Sequence, residues 1–538
     1  MSSSEEYNRF FKSIDDNEKN NSSEETNDSS LIDSEEFRLF QEMLERPNSV
    51  GVSSSPTNQV NQLNQSNQLN INQQIQNNQN NQIPIIYIFK RKTQPNQFNE
   101  NLLFEISKYL KTEMDYINYS KINNRFQKII IKYHYNPTTA YVIFKHVTTQ
   151  FLFSKKDQKL PNANKFVWTF PVDYGNVMRR SSTKNVYLNI LWTQGCVKYH
   201  GDIIPNEINT IGTKAFYMRT TLMNIIIPTR VKTINKMAFE GCINLKEIVI
   251  PSSVTSLGEN CFKDCISLTS CSMEESIRKI GKECFRGCQS LSHIEIPQLI
   301  DSIESNAFYK CPLTNSLKIP FLMTTISQSC FEYATSIKTI HFDTSLKSLE
   351  EKSFANCVSL ENIILPHSIT SIGRACFSNC YKLSYVSLSS QINHLSSHCF
   401  SNCSSLSQID HSLCVTSLGS NVFGECTSLT GIDLSSSIKK LPENTFFNCI
   451  SLSSLHLPES LTSIGNQCFY NCTSLKEIDL PSKVKQLENQ AFAYCSSLEF
   501  ICIPKSITTF GIGCFKNCNK IKDKIWVPNH CFEYYLPF

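Results

Sequence analysis

The residues in this 538-residue chain whose type and spacing could do chemistry are first of all its 24 cysteines. Twelve fall in one column at multiples of 23 residues: Cys242, Cys265, Cys288, Cys311, Cys357, Cys380, Cys403, Cys426, Cys449, Cys472, Cys495 and Cys518. Seven more form a second column, Cys261, Cys284, Cys330, Cys376, Cys399, Cys468 and Cys514, so that six Cys-x3-Cys pairs arise. Zinc would ask for four ligands in a tetrahedron, with a second pair close by. Thiols on neighbouring turns of a repeat would come within disulfide range in an oxidising compartment. A nucleophile would need surroundings that lower its pKa, and nothing near these residues supplies them. The second column also accepts Ala215, Ala238, Ala307, Ala491, Ser353, Val422 and Thr445. A position that tolerates those side chains asks for something small and buried, which cysteine supplies as a compact hydrophobe. The expected state is therefore buried structural thiols, weighed against partial disulfides and metal.

Carboxylates and a histidine make the second chemical candidate. Asp410, Asp433, His456 and Asp479 recur at the same interval, with Glu477 two residues before the last of them. Side by side on adjacent strands, Asp410 and Asp433 would raise one another's pKa unless a cation or a basic partner intervened. A Lys/Arg-rich peptide fits such a row. Calcium would need carbonyl ligands as well as three scattered carboxylates, and the plain alternative is a solvated acidic patch. Tyr385 and Phe500 are exposed aromatics of the kind that anchor interfaces.

What must position these residues is a repeat. Phenylalanine recurs 14 times without insertion or deletion, from Phe216 and Phe239 to Phe492 and Phe515, each 23 residues after the last. A degenerate copy precedes them, with Thr193 at the anchor position. In the unit 468–490 the apolar positions are Phe469, Leu475, Ile478, Leu480, Val484 and Leu487. Ile478 and Leu480 alternate with Glu477 and Asp479, the pattern of a short half-buried strand. Pro481 follows it, where a missing N–H matters little, and a turn or single helical turn over Val484–Leu487 is expected to return the chain to the next anchor. No single unit could bury its apolar side, so stacked units must share one continuous core.

The run Pro251-Ser252-Ser253-Val254-Thr255-Ser256-Leu257-Gly258-Glu259-Asn260-Cys261-Phe262-Lys263-Asp264-Cys265-Ile266-Ser267-Leu268 resembles the BspA-like leucine-rich-repeat family, found in bacteria and in gut protozoa such as amoebae. The resemblance implies a solenoid whose parallel strands line one face, and a function of binding rather than catalysis. The expected organisation is a disordered acidic tail (1–50), an Asn/Gln-rich low-complexity linker (51–82), a small folded, mainly helical capping region (83–200), the solenoid (201–528) and a C-terminal tail (529–538). Within 140–200, alternating apolar residues predict a few strands, with Lys155-Lys156 and Arg179-Arg180 on loops.

Helical spacing of Leu103, Ile106 and Leu110, then Ile117 and Phe126, predicts helices in the capping region. Leu103 through Phe126 also resemble an F-box, which implies a ubiquitin-ligase adaptor as partner and the solenoid as substrate receptor. A helical cap over the first coil is the plainer role.

Net charge is +4, with 51 Lys+Arg against 47 Asp+Glu, and does not point to nucleic acid. No stretch is long and apolar enough to span a bilayer. The polar, acidic N-terminus lacks the apolar core of a secretory leader, so a cytoplasmic or nuclear location is expected, with the cell surface by a non-classical route as the alternative. No phosphate loop, dinucleotide motif, His-Glu-x-x-His or nucleophile elbow occurs. No catalytic residue, metal or cofactor is assigned. The expected function is non-catalytic protein–protein interaction on the strand face, through Tyr385, Asp410, Asp433, His456, Glu477, Asp479 and Phe500, with a protein or a basic peptide as partner. The alternatives are an F-box-type substrate receptor and a surface adhesin-like protein.

Overall fold

The computed structural model describes residues 147–532, apart from 314, 411–414 and 522–526, together with single positions and short stretches between 107 and 144. The acidic tail, the Asn/Gln tract and Leu103, Ile106 and Phe126 lie outside the described residues. The chain divides into two compact units, Met1–Thr93 and Gln94–Phe538, and every described residue belongs to the second.

Each 23-residue unit makes one coil with three hydrogen-bonded sides. The first side is a rung of two to four residues, such as Glu247–Ile250, Asn362–Ile364 or Glu477–Asp479, with inward residues buried and outward ones exposed. Its neighbours pair in parallel at the repeat interval, Ile248 with Cys271 and Ile363 with Val386. The second side is a two-residue rung, for example Ser256–Leu257 beside Lys279–Ile280. Here the sequence expectation needs correcting. A turn does follow Pro481, closed by Val484 N–H donating to the Pro481 carbonyl at 3.0 Å. It ends at once, and Gln486–Leu487 is a strand with Leu487 buried, not part of a helical turn. Alternation of one polar and one apolar residue suits an edge that is buried on a single face.

The third side is the anchor turn. Each Phe amide donates to the carbonyl just before the next anchor, as Phe377 does to Cys399 at 2.9 Å. Two residues before and two residues after every anchor the backbone has positive φ, as at His398 (60°) and Asn402 (61°) around Phe400. The anchor rings stack in a continuous file, with successive centroids 5.0 to 6.0 Å apart and planes within 15° of parallel. Burying one such ring contributes roughly 1.5–3 kcal/mol. One core runs without interruption from Ile190 to Cys531.

Upstream of residue 200 the expected strands are present, and they are coils of the same kind. Thr149–Leu152, Lys165–Trp168 and Asn185–Tyr187 pair in parallel, and Leu191 pairs with Thr210 across the expected boundary at 200. Two short helices interrupt them, Tyr174–Arg179 with Asp173 as N-cap and Gln194–His200 with Thr193 as N-cap. Arg179-Arg180 therefore ends a helix instead of lying on a free loop. At the other end, residues 529–532 are not a tail. Phe515 N–H donates to the Cys531 carbonyl at 2.8 Å, and the Phe532 ring packs 6.1 Å from that of Phe515. Phe532 thus closes the file of rings only 17 residues after the last regular anchor.

The helix Glu113–Ser120 begins at a reciprocal cap, Thr112 N–H to the Asp115 carboxylate at 2.9 Å and Asp115 N–H to the Thr112 hydroxyl at 3.2 Å. It buries Tyr116 and Tyr119, spaced three apart, against Tyr133 and Phe144. No helix among the described residues is long and apolar enough to cross a membrane.

Candidate binding face

All 23 described cysteines are free, and all but Cys502 are buried. In the column after the anchor each thiol donates to the carbonyl of the Phe one coil back: Cys403 to Phe377 at 3.2 Å, Cys426 to Phe400 at 3.3 Å, and so on through all twelve. The same Phe400 carbonyl accepts the amide of Cys403 at 3.2 Å, so both of its lone pairs are used. Burial pushes the thiols of Cys242, Cys376 and Cys426 up to about 12. Protonated, enclosed and already donating, these thiols are structural. Among the described residues no group of three or more His, Cys, Asp or Glu stands ready to hold a metal ion.

The outward positions of the long rungs are where the carboxylates stand. Asp410 lies beside Ser387 in register, Gln408 beside Tyr385, and the Tyr385 hydroxyl donates to the Asp410 carboxylate at 3.2 Å. Tyr385, Asp410, Asp433 and His456 line one open hollow of about 530 Å³, with Gln408, Gly431 and Ser454 across from the acidic row. Its cause is readable in the residue column eight after each anchor, which runs Tyr385, Gln408, Gly431, Ser454, Glu477. The two smallest members fall in the middle, so the floor sinks between larger neighbours. The regular ladder also lapses there. Regular pairing on this side stops at Gln408–Asp410 and resumes at Glu477–Asp479, leaving the coils of Asp433 and His456 between them.

Glu477, Asp479 and Phe500 are exposed on the same face but belong to the following two rungs, paired Glu477 with Phe500 and Asp479 with Cys502, and do not line the hollow. Of the adaptor positions, Leu110 and Ile117 are described. Both are half-buried and packed on the aromatic cluster of Tyr116, Tyr133 and Phe144, which already occupies them. Sequence reasoning passed over Tyr116 and Tyr119, although their spacing of three on a helix was the available signal.

Comparison with known proteins agrees with this geometry. The pattern described as "BspA type Leucine rich repeat region (6 copies)" matches residues 209–338, 301–430 and 416–533, more than half of the chain. Among solved structures, a leucine-rich repeat protein from Bacteroides ovatus is similar at 27% identity, over 64% of this chain and 82% of its own, with a TM-score of 0.48. A leucine rich cell surface protein from Faecalibacterium prausnitzii is also 27% identical, over 55% of this chain and 89% of its own, at a TM-score of 0.41. A leucine-rich repeat protein from Eubacterium ventriosum is 20% identical, over 53% and 86%, at 0.38. No curated protein matches the chain. With 14 anchors in step and each coil hydrogen-bonded to the next, the chain belongs to the BspA-type leucine-rich-repeat family, a non-catalytic scaffold for protein–protein contacts.

Proposed function

We propose that the solenoid binds a Lys/Arg-rich peptide segment of a protein partner, seated in the hollow between Tyr385 and His456. What supports the reading is that four outward residues from two columns and four successive coils line a single depression. Two of them are carboxylates on adjacent coils, and the opposite wall is small and polar. A basic side chain entering the hollow meets Asp410 and Asp433 together. Tyr385, already oriented by its bond to Asp410, offers the ring edge that interfaces favour. Glu477 and Asp479 extend the same sign of charge one rung further, which steers encounter and makes it salt-sensitive. The ligase-receptor alternative has no such supporting geometry, since Leu110 and Ile117 pack on their own aromatic cluster.

The test is selection of peptides from a random display library on the full chain, followed by affinity measurement. Enriched peptides should be rich in Lys and Arg. The double substitution Asp410→Lys with Asp433→Lys should weaken them by about 2–4 kcal/mol, as expected for reversing two contacting charges. Glu295→Lys, in the same column but outside the hollow, should not. Peptides without basic residues, or equal binding by the double variant, would refute the assignment.

A further inference from the structure

The sheet of the earliest coils carries a second feature, independent of the hollow. Parallel pairing sets Leu152, Trp168 and Tyr187 across from one another on three adjacent strands. The Trp168 and Tyr187 rings stack at 5.5 Å with 26° between planes. Two cations from the connecting segments close over this aromatic row. Lys159 Nζ lies 4.7 Å from the centre of the Phe166 ring and 5.0 Å from that of Trp168, and the Arg180 guanidinium lies 5.6 Å from Trp168. Among the described residues neither cation has a carboxylate partner. Asp157, the nearest acid in sequence to Lys159, instead accepts from the Phe153 and Ser154 amides and the Ser154 hydroxyl.

Three groups are thus left in an unfavourable state. Burial, and then the Arg180 charge, hold the Lys159 ammonium below its usual pKa. The Tyr187 hydroxyl is buried and has no hydrogen-bond partner among the described residues. Arg180 is near enough to Tyr187 for its charge to oppose the rise in pKa that burial causes there. A single oxyanion would relieve all three. It would neutralise both cations, present two oxygens to the guanidinium fork and accept the Tyr187 O–H.

We propose that Lys159, Arg180 and Tyr187 form a site for a phosphate group, borne by a soluble ligand or by a lipid headgroup. Lys159 and Arg180 are exposed, and both have long side chains. Both can therefore reorient to meet a ligand with the strands unmoved. A phosphate supplies enough oxygens to meet three donors at once, which a carboxylate does with poorer geometry.

The experiment uses the full chain in two arms. One titrates inorganic phosphate calorimetrically, with chloride at matched ionic strength as reference. The other sediments the protein with phosphatidylcholine vesicles with and without a phosphatidylinositol phosphate. Saturable binding is expected in at least one arm, and which arm responds identifies the source of the phosphate. Arg180→Gln should weaken that binding by about tenfold or more. Tyr187→Phe should weaken it several-fold while leaving the melting temperature unchanged or higher, because the hydroxyl has no partner to lose. No saturable binding in either arm, or undiminished binding by Arg180→Gln, overturns the proposal.

Discussion

Each thiol in the column after the anchor holds a phenylalanine carbonyl one coil back, so it fills space and bonds at once. The first role was legible in the sequence, because the twin column tolerates Ala, Ser, Val and Thr and so reveals a small enclosed position. The second was not, since periodicity says where a side chain recurs but nothing about which way a distant carbonyl points. The consequence is a pH dependence of defined sign. In the unfolded chain these thiols ionise near their ordinary value of 9.0, whereas in the folded coil Cys426 holds its proton up to about 12. Stability from this residue is complete below the lower value and is lost as pH rises through the window between them. Cys426→Ser keeps a donor but removes the ionisation. The drop in unfolding free energy between about pH 8 and about pH 10 should therefore be smaller in the variant by about 1.4 kcal/mol. Urea titration at the two pH values measures it, and identical drops would mean the thiolate is tolerated inside.

At the scale of the element, the anchor turn needs two left-handed residues per coil, and the sequence records this unevenly. Asn356, Asn379, Asn402, Asn448, Asn471 and Asn517 all stand two residues after an anchor with positive φ. Asparagine is one of the few residues at ease there. Their amides also bond from coil to coil, Asn402 to Asn379 at 2.9 Å and Asn471 to Asn448 at 3.0 Å. Lys310, Tyr333 and Glu425 hold the same backbone conformation with no such signature, so the turn type was hidden in their coils. The hollow was legible in part. A strict period places Tyr385, Asp410, Asp433 and His456 on one face, but its depth depends on Gly431 and Ser454 lying between larger neighbours. Close approach of coils gives a prediction of its own. A Cβ on Gly373 would sit 2.5 Å from the Glu350 carbonyl carbon and the Glu351 nitrogen, both backbone atoms that cannot step aside. Gly373→Ala should destabilise by about 1–3 kcal/mol, the range for overpacking. Gly431→Ala, whose nearest contact would be 3.2 Å at the Ser454 carbonyl oxygen, should change stability by well under 1 kcal/mol on the surface scale. Paired thermal melts decide between them, and equal shifts would show that the coils have slack at Gly373.

For the whole molecule, one period was enough to predict the solenoid from Phe216 to Phe515. The coils before it resisted because they have no period to find. Phe151 pairs with Val167 and Val167 with Val186, registers of 16 and 19 residues, before the interval settles at 23 between Ile211 and Ile234. Pattern reading detected the strands there, but not that they were already coils. The closing turn at 529–532 was missed for the same reason, because it follows the last anchor out of step with the period. Stability in such a stack is a sum over neighbours, and its ends matter most. Removing residues 527–538 uncovers Phe515 and Cys514, both fully buried in the intact chain. Hydrogen exchange should then accelerate in the last coils, around Phe492 and Phe515, while Phe377 and its neighbours keep their protection. Uniform acceleration along the chain would instead indicate a single cooperative unit.

The same nearest-neighbour bonding fixes how the protein would carry load. Amide-to-carbonyl bonds such as Phe377 to Cys399 and Phe400 to Val422 join each coil only to the next. Tension applied between the two ends of the solenoid therefore acts on every coil junction in series, with no backbone bond among the described residues that bypasses a junction. The terminal junctions give way first, and each released coil of 23 residues pays out roughly 75 Å of chain. Under a pull the solenoid would lengthen in equal steps and limit the force passed to whatever it holds, as a stitched seam does when it opens one stitch at a time.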